Sequence, residues 1–249
     1  MSKKLDNKFR KKGIIYKICA FFIKMSYKKT EYIGLENLPK EPSIIAGNHA
    51  QLHGPINAEL YFPTKKLIWC DGPMMNRKEF PKYAYSNFFG GKPNIFQKML
   101  SHMIAPIITN VFRHADALPV YRDMRIMKTY KSTTDVLEQG VNVVILPECP
   151  EEFNEITNKF NEYFVDVARF YYKHNAKELN FVPMYYSKEL KKTLFGKPIK
   201  FDANAPIETE RKRICEYLMG EITTLAKTLP PHKVIPFNNV PKKDYKMSK

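Results

Sequence analysis

Short β-rich runs alternate with longer helical patterns along most of this 249-residue chain. Such alternation is typical of an α/β fold, in which helices flank a sheet whose strands run mainly parallel. The predicted strands cover 43–47, 66–70, 117–121, 141–146, 180–186 and 194–201. Helical spacing is found over 55–61, 94–112, 123–140, 156–174 and from 206 to the prolines at 230 and 231, with a bend or break expected at Pro106. We therefore predict an α/β fold with a mainly parallel central sheet.

Basic residues concentrate at the two ends of the chain. The whole sequence has 41 Lys and Arg against 25 Asp and Glu, a formal charge of +16. Residues 1–30 contribute +9 of this and residues 242–249 contribute +3, which leaves +4 for everything between. The sequence therefore indicates an anionic partner met mainly at the N-terminus, either nucleic acid or an anionic membrane surface.

The residues beside that charge distinguish the two partners. Over residues 9–27, at about 100° per residue, the basic side chains fall on one stripe. They are Arg10, Lys17, Lys24 and, just beyond, Lys28. The apolar residues on much of the remaining surface are Ile15, Ile18, Phe22, Ile23 and Met25. This pattern favours an amphipathic helix in a lipid interface, so we predict an anionic membrane partner and no nucleic acid. The alternative is a helix that packs its apolar side on the body.

Other sequence features exclude several classes of protein. No segment has the roughly 20 apolar residues needed to span a bilayer, and Lys17 and Lys24 interrupt what could otherwise resemble a secretory signal. The four cysteines are scattered without CxxC spacing, so neither a metal site nor a disulfide framework is indicated. We predict a cytoplasmic protein, peripheral on the inner face of the membrane. Residues 1–30 form its membrane-contact segment and 31–249 a single domain.

The ends of the predicted strands carry the candidate site. Active sites of parallel sheets gather beyond the carboxyl ends of the strands, and Asn48–His49, Asp71, Arg122 and Glu148 follow four of these ends. An imidazole near neutral pKa can take a proton from an alcohol and return one to a leaving group at pH 7. The alternative for His49 is a structural histidine that is hydrogen-bonded at a strand end.

Five segments together resemble the glycerolipid acyltransferase family, which includes 1-acylglycerol-3-phosphate and lysophospholipid acyltransferases. The resemblance runs from Tyr32 to Phe201 and rests on the order and spacing of the segments. They read "YIGLENLPKEPSIIAGNH", "ALPVYRD", "EQGVNVVILPECPEE", "NFVPMYYS" and "LFGKPIKF". It implies a transferase of lipid metabolism, acting in phospholipid biosynthesis, that moves an acyl group from acyl-CoA or acyl carrier protein to a lipid hydroxyl. No other cofactor is implied.

The resemblance also implies roles for individual residues. His49, preceded by Asn48, is the general base in a direct transfer without an acyl-enzyme. Arg122 grips the phosphate of the acceptor, with Arg125 as an alternative and a surface ion pair as the ordinary role of either. Pro147 and Glu148 match the third segment, where we assign Glu148 to the acceptor's hydroxyls, or else to capping the following element.

The sequence departs from the family pattern at two positions. The family has an aspartate five residues after the catalytic histidine, but this chain has Gly54 there. Asp71 is a candidate to orient His49 instead, as is His53, while the alternative for Asp71 is turn chemistry before Gly72.

The second departure is Cys149, where the family has glycine. A side chain there would narrow the acceptor pocket, and it also allows a thiol-nucleophile hypothesis. The competing functions are therefore a thioesterase or hydrolase and a catalytically silent relative that binds lipid or acyl donor.

Overall fold

The structure is a computed structural model that describes residues 12–249. Within this range eight strands form a mixed, mainly parallel sheet flanked by helices, which confirms the predicted α/β fold class. In chain order the elements are α1 (Ile14–Ser26), β1 (Glu31–Ile33), β2 (Ile44–Gly47), α2 (His53–Tyr61), β3 (Lys66–Asp71), α3 (Phe80–Asn87), α4 (Ile95–His114), β4 (Ala117–Val120), α5 (Ile126–Leu137), β5 (Asn142–Ile145), β6 (Glu148–Phe153), β7 (Asn158–Phe160), α6 (Asp166–Asn175), β8 (Asn180–Ser187), β9 (Lys192–Phe195), β10 (Ile199–Lys200) and α7 (Ile207–Thr228).

The chain divides into two compact units. Unit 1 comprises Met1–Tyr27 and Ile68–Thr129, and unit 2 comprises Lys28–Leu67 and Tyr130–Lys249. The single domain predicted for 31–249 stays a prediction.

Unit 2 is built around parallel strands that are buried on both faces. Its strand order is β1-β9-β8-β2-β5, and β10 pairs with β8. β2 runs parallel to both β5 and β8, with Ala46 opposite Ile145 and Pro183, whereas β8 and β9 are antiparallel. Ile44, Ile45 and their neighbours on β5 and β8 are fully buried, as expected of central parallel strands. The helix α7 packs against β8. This buried core holds β2 in place, and with it the position of Asn48 and His49, which directly follow the strand.

Unit 2 differs from the prediction in two places. The predicted strand 194–201 is interrupted at Gly196–Pro198 and becomes β9 and β10, because proline cannot donate to a ladder. The predicted helix 156–174 begins only at Asp166, because residues 158–160 pair with β6 as the strand β7. A helical period in the sequence was outweighed there by strand pairing, which is a tertiary interaction.

Unit 1 combines a parallel strand pair with three helices. Residues Ile68–Asp71 of β3 pair with β4, and Phe80, Ala84 and Ala105 form a small buried cluster between α3 and α4. The helix α4 begins at a capping box and continues through Pro106, so the predicted break is absent from this described helix. The helix α1 packs on α4 and buries Tyr16.

The outer side of α1 is strongly apolar. The exposed large apolar residues are Ile14, Ile15, Ile18, Phe21, Phe22 and Met25. Lys17 and Lys24 are exposed beside them, as the predicted stripe requires, while Arg10 lies outside the described residues. The alternative, an apolar side packed on the body, does not describe these side chains. In the part of the chain that the structure describes, no helix is both long and apolar enough to cross a membrane.

Candidate active site

The Asn48 side chain links the end of β2 to the neighbouring strand β8 by hydrogen bonds. Asn48 is 2% exposed. Its Oδ1 accepts from the Tyr186 backbone N–H at 2.8 Å, and its Nδ2 donates to the Tyr186 carbonyl at 3.1 Å. An amide side chain that makes both bonds continues the β2–β8 ladder by one step. Asn48 therefore positions the next residue, His49, and its contact with a substrate stays a prediction.

The ring of His49 is held by a backbone carbonyl. Nδ1 is hydrogen-bonded to the carbonyl oxygen of Gln51. Because a carbonyl oxygen can only accept, Nδ1 carries the proton and Nε2 carries the lone pair. Ala50 and Gln51 have φ values of 46° and 54°, a left-handed conformation that is costly for residues with a Cβ. These two residues turn the carbonyl back toward the ring.

Glu148 lies beneath His49 as the first residue of β6. One carboxylate oxygen accepts the backbone N–H of His49, and the other accepts the N–H of Asn158 at 2.7 Å. The side chain is 6% exposed. Burial raises the pKa of Glu148 to about 7, although the two N–H groups pull it down. The carboxylate thus ties the His49 loop to the β6–β7 hairpin, which resembles the capping alternative, and its contact with an acceptor stays a prediction.

Gly54, at the position of the missing aspartate, lies against the His49 backbone. Its N–H donates to the His49 carbonyl at 3.0 Å, and a Cβ at residue 54 would lie 2.6 Å from that oxygen. No side chain fits there without moving the loop. The sharp turn through Ala50 and Gln51 therefore supplies a carbonyl partner for Nδ1 and at the same time leaves no room for a carboxylate at residue 54.

His53, one candidate to orient His49, lies at the start of α2 with a lysine partner. Its Nε2 is 3.0 Å from Lys188 Nζ and accepts from that ammonium. Burial, with Lys188 and Lys242 nearby, lowers the pKa of His53 to about 4, so its ring is neutral at pH 7. The structure gives the orienting contact on His49 Nδ1 to Gln51.

Cys149 and Pro147 flank Glu148 with structural contacts. The Cys149 thiol donates to the Lys159 carbonyl at 3.1 Å, and burial raises the pKa of this thiol. A protonated thiol is a poor nucleophile, so these contacts weigh against the thiol hypothesis. The buried Pro147 accepts the Asn161 N–H at 2.8 Å.

In unit 1, Asp71 and Arg122 come together after β3 and β4. Asp71 accepts from the Tyr83 hydroxyl at 2.8 Å, and burial, together with the nearby Asp71 carboxylate, raises the pKa of Tyr83. The Arg122 guanidinium lies 4.0 Å from Asp71 and is 81% exposed. Asp71 thus has partners in its own unit.

Arg125, the second candidate for an acceptor phosphate, is held more tightly. It makes ion pairs with Asp123 at 2.7 Å and with Glu79 at 3.1 Å, and its guanidinium stacks 4.0 Å from the Tyr121 ring. Its carboxylate partners would compete with a phosphate, so the geometry favours Arg122.

Sequence reasoning missed Gln51 and Asn158. Gln51 acts through its backbone carbonyl, and no residue type predicts the left-handed φ that aims it. Asn158 acts through its N–H from a strand that the sequence pattern assigned to a helix.

The fold has a counterpart of known structure. No protein-family model matches the sequence, and no curated protein does either. The structure is similar to that of the 1-acyl-sn-glycerophosphate acyltransferase PlsC from Thermotoga maritima, with a TM-score of 0.51 over 89% of this chain and 86% of that one. The two sequences are 14% identical, so the similarity is one of fold.

Proposed function

We propose that this chain is an acyltransferase that moves a fatty acyl group from acyl-CoA or acyl carrier protein to the hydroxyl of a lysophospholipid, acylglycerol phosphate or related lipid. His49 Nε2 takes the proton from the hydroxyl as its oxygen attacks the thioester carbonyl. When the C–S bond breaks, the imidazolium returns the proton to the departing thiolate. The products are an ester and a thiol, and no acyl-enzyme forms.

The observation that carries this proposal is the tautomer of His49. With Nδ1–H bonded to the Gln51 carbonyl, the lone pair sits on Nε2, as a general base requires. This arrangement supplies the orientation that the family pattern assigns to an aspartate. A backbone carbonyl stabilises the imidazolium less than a carboxylate would, so we expect turnover slower than the family pattern would support.

The acceptor's phosphate is assigned to Arg122. Its exposed guanidinium has five donors in a planar fork that suits phosphate oxygens. The guanidinium lies beside the Asp71 carboxylate, which in turn accepts a hydrogen bond from the Tyr83 hydroxyl.

Membrane contact is assigned to α1. Its exposed row from Ile14 to Met25 and the neighbouring Lys17 and Lys24 combine apolar burial with attraction to anionic headgroups, worth about 1 kcal/mol per basic residue. Replacing Phe21 and Phe22 by serine should weaken binding to vesicles of phosphatidylglycerol and phosphatidylcholine. Unchanged binding would remove α1 from the interface.

Acyl transfer is tested by incubating the purified protein with radiolabelled acyl-CoA and a panel of lysolipids, beside His49→Ala. Labelled ester that disappears in the variant supports the proposal. Release of labelled fatty acid without ester identifies a hydrolase, and acyl-CoA binding without turnover identifies a silent relative.

A further inference from the structure

The helix α4 carries an apolar ridge that the core of unit 1 does not use. Five large side chains fall within an arc of about 120° of the helix surface and are at least half exposed. They are Ile95, Phe96, Met99, Met103 and Ile107. Ile95, at 85%, is the most exposed of them. Single apolar residues scattered on a surface need no explanation, but a contiguous exposed apolar row of this length marks an interaction site.

The charges around the ridge indicate its partner. Lys98 and Arg113 lie on the same helix, and the described part of unit 1, residues 12–27 and 68–129, has 12 Lys and Arg against four Asp and Glu, +8, in 78 residues. Unit 2 has 24 against 20, +4, in 160 residues. Apolar side chains on a strongly cationic unit complement the acyl chains and headgroups of an anionic bilayer.

We infer that the α4 ridge is a second membrane-contacting element, whose occupant is an anionic lipid bilayer. The inference extends the membrane contact proposed for α1 and rests on different residues. Methionine and isoleucine side chains enter the acyl boundary while Lys98 and Arg113 meet the headgroups.

The test compares Met99→Ser combined with Met103→Ser against Met124→Ser combined with Met127→Ser. The second pair is a matched control, because both methionines are exposed in unit 1 and lie outside α4. With vesicles of equal parts phosphatidylglycerol and phosphatidylcholine, the α4 pair should weaken binding roughly tenfold, and the control pair should leave it almost unchanged. Tryptophan fluorescence of Met103→Trp should be quenched by brominated lipid, in contrast to that of Met124→Trp.

Equal vesicle affinity of the two pairs would overturn the inference. So would an α4 pair that alters only the oligomeric mass in light scattering, since the ridge would then bind a second copy. If the parent protein binds no vesicles, both the α4 inference and the α1 proposal are wrong. If the parent binds vesicles and the two methionine pairs bind them equally, only the α4 inference is wrong.

A second inference concerns the chain after α7. Residues 230–248, the C-terminal strap, are anchored at both ends. The buried His232 bonds the Tyr185 hydroxyl through Nε2 at 2.7 Å, and its carbonyl accepts the Ser248 N–H at 2.9 Å. The Val234 N–H donates to the Lys246 carbonyl at 2.8 Å. The segment between these anchors is therefore a closed loop fixed to unit 2.

The middle of the strap contacts the His49 loop. The Phe237 ring meets the His49 ring edge-on, with centroids 5.1 Å apart. The Pro236 carbonyl accepts the Gln51 N–H at 3.2 Å, and the Tyr245 hydroxyl donates to Gln51 Oε1 at 3.3 Å. Gln51 is the residue whose carbonyl fixes the His49 tautomer, so the strap holds both partners of that bond.

The strap also reaches the loop from the other side. The Phe237 N–H donates to Asn158 Oδ1 at 3.2 Å, and the Asn158 N–H is bonded to Glu148, which accepts the His49 N–H. The strap, Glu148 and Gln51 thus close a ring of contacts around His49. Left-handed residues persist where the surroundings over-determine them, and this ring supplies that constraint.

We propose that the C-terminal strap is a positioning element that holds Gln51 in its left-handed conformation and thereby keeps the Nδ1–H tautomer of His49. Its effect on turnover rests on the proposed function, but its effect on the tautomer does not.

Two-bond ¹H–¹⁵N spectra of histidine-labelled protein report the tautomer directly, with His49 assigned by its loss in His49→Ala. Tyr245→Phe removes one contact to Gln51, and Phe237→Ala removes the ring. Tyr217→Phe is the matched control, because its hydroxyl donates to the Lys197 carbonyl at 3.1 Å, outside the strap. We expect a mixed tautomer in Phe237→Ala, a smaller shift in Tyr245→Phe and none in Tyr217→Phe, with kcat falling roughly tenfold in Phe237→Ala at unchanged KM.

An unchanged His49 tautomer in Phe237→Ala and Tyr245→Phe would overturn the positioning role. If the His49 tautomer changes in these variants but the parent protein transfers no acyl groups, the positioning role of the strap stands and the proposed function is wrong.

Discussion

The two units differ in what they leave exposed. Of the 20 exposed large apolar side chains in the described residues, 14 belong to unit 1, which has 78 of the 238 described residues. In unit 2, by contrast, the polar groups of Asn48, Glu148 and Gln51 form hydrogen bonds with neighbouring backbone or side chains. A surface that meets lipid must stay apolar and cationic, whereas a general base needs a rigid and satisfied surrounding. On the proposed function, unit 1 would meet the first of these demands and unit 2 the second.

The largest expected effect that tests this contrast is in unit 2. His49→Ala should lower kcat/KM for acyl transfer about a thousandfold, because the general base is lost. Its vesicle affinity should stay that of the parent. If the variant loses vesicle binding together with activity, the proposed division of catalysis and membrane contact between the two units is wrong.

The next effect concerns the loop around His49. Gly54→Asp should lower the free energy of unfolding by about 2 kcal/mol, since its Cβ would lie 2.6 Å from the His49 carbonyl. Gly220→Asp is the control, because a Cβ at Gly220 has no atom within 4 Å. Urea unfolding and acyl transfer measure both changes. If Gly54→Asp were more active than the parent, the proposed role of Gln51 would be wrong.

A smaller effect is expected in unit 1. Arg122→Ala should raise KM for a phosphate-bearing acceptor roughly tenfold, the loss of a charge-assisted contact, with little change in stability. Arg125→Ala should act mainly on stability, through its pairs with Asp123 and Glu79. Steady-state kinetics with acceptors that have or lack a phosphate separate the two arginines. The reverse pattern would assign the phosphate to Arg125.

The smallest effect is a pH dependence. The folded pKa of Glu148, about 7, lies above its ordinary value near 4.5, so the folded state binds the proton more tightly. Stability therefore falls as pH rises from about 4.5 to about 7 and is constant above. His53, with a folded pKa of about 4, has the opposite slope between about 4 and 6.5.

Comparison with Glu148→Gln isolates the first group. Between about pH 5 and pH 7 the parent should lose on the order of 1 kcal/mol relative to the variant in urea unfolding. Parallel curves would mean that Glu148 titrates as an ordinary carboxyl.

Several elements could be predicted because their signals are local. The strands at 44–47 and 142–145 are short apolar runs, and α7 has clear helical spacing that stops at prolines. The stretch 158–160 could not be assigned, because its pairing partner lies in β6 rather than in its own pattern. Pro106 predicted a bend or break, but the helix continues through it, and the neighbouring Ala105 is buried against Phe80 and Ala84.

The α/β class, the basic apolar N-terminal helix and the position of His49 after a buried strand could be read from local patterns, because hydrophobic period and charge act locally. The group that orients His49 could be identified only from the folded structure. That contact depends on the left-handed backbone at Gln51 and on a strap nearly 200 positions away in sequence. Backbone carbonyls carry no residue identity, so a site built from them becomes visible only once the chain has folded.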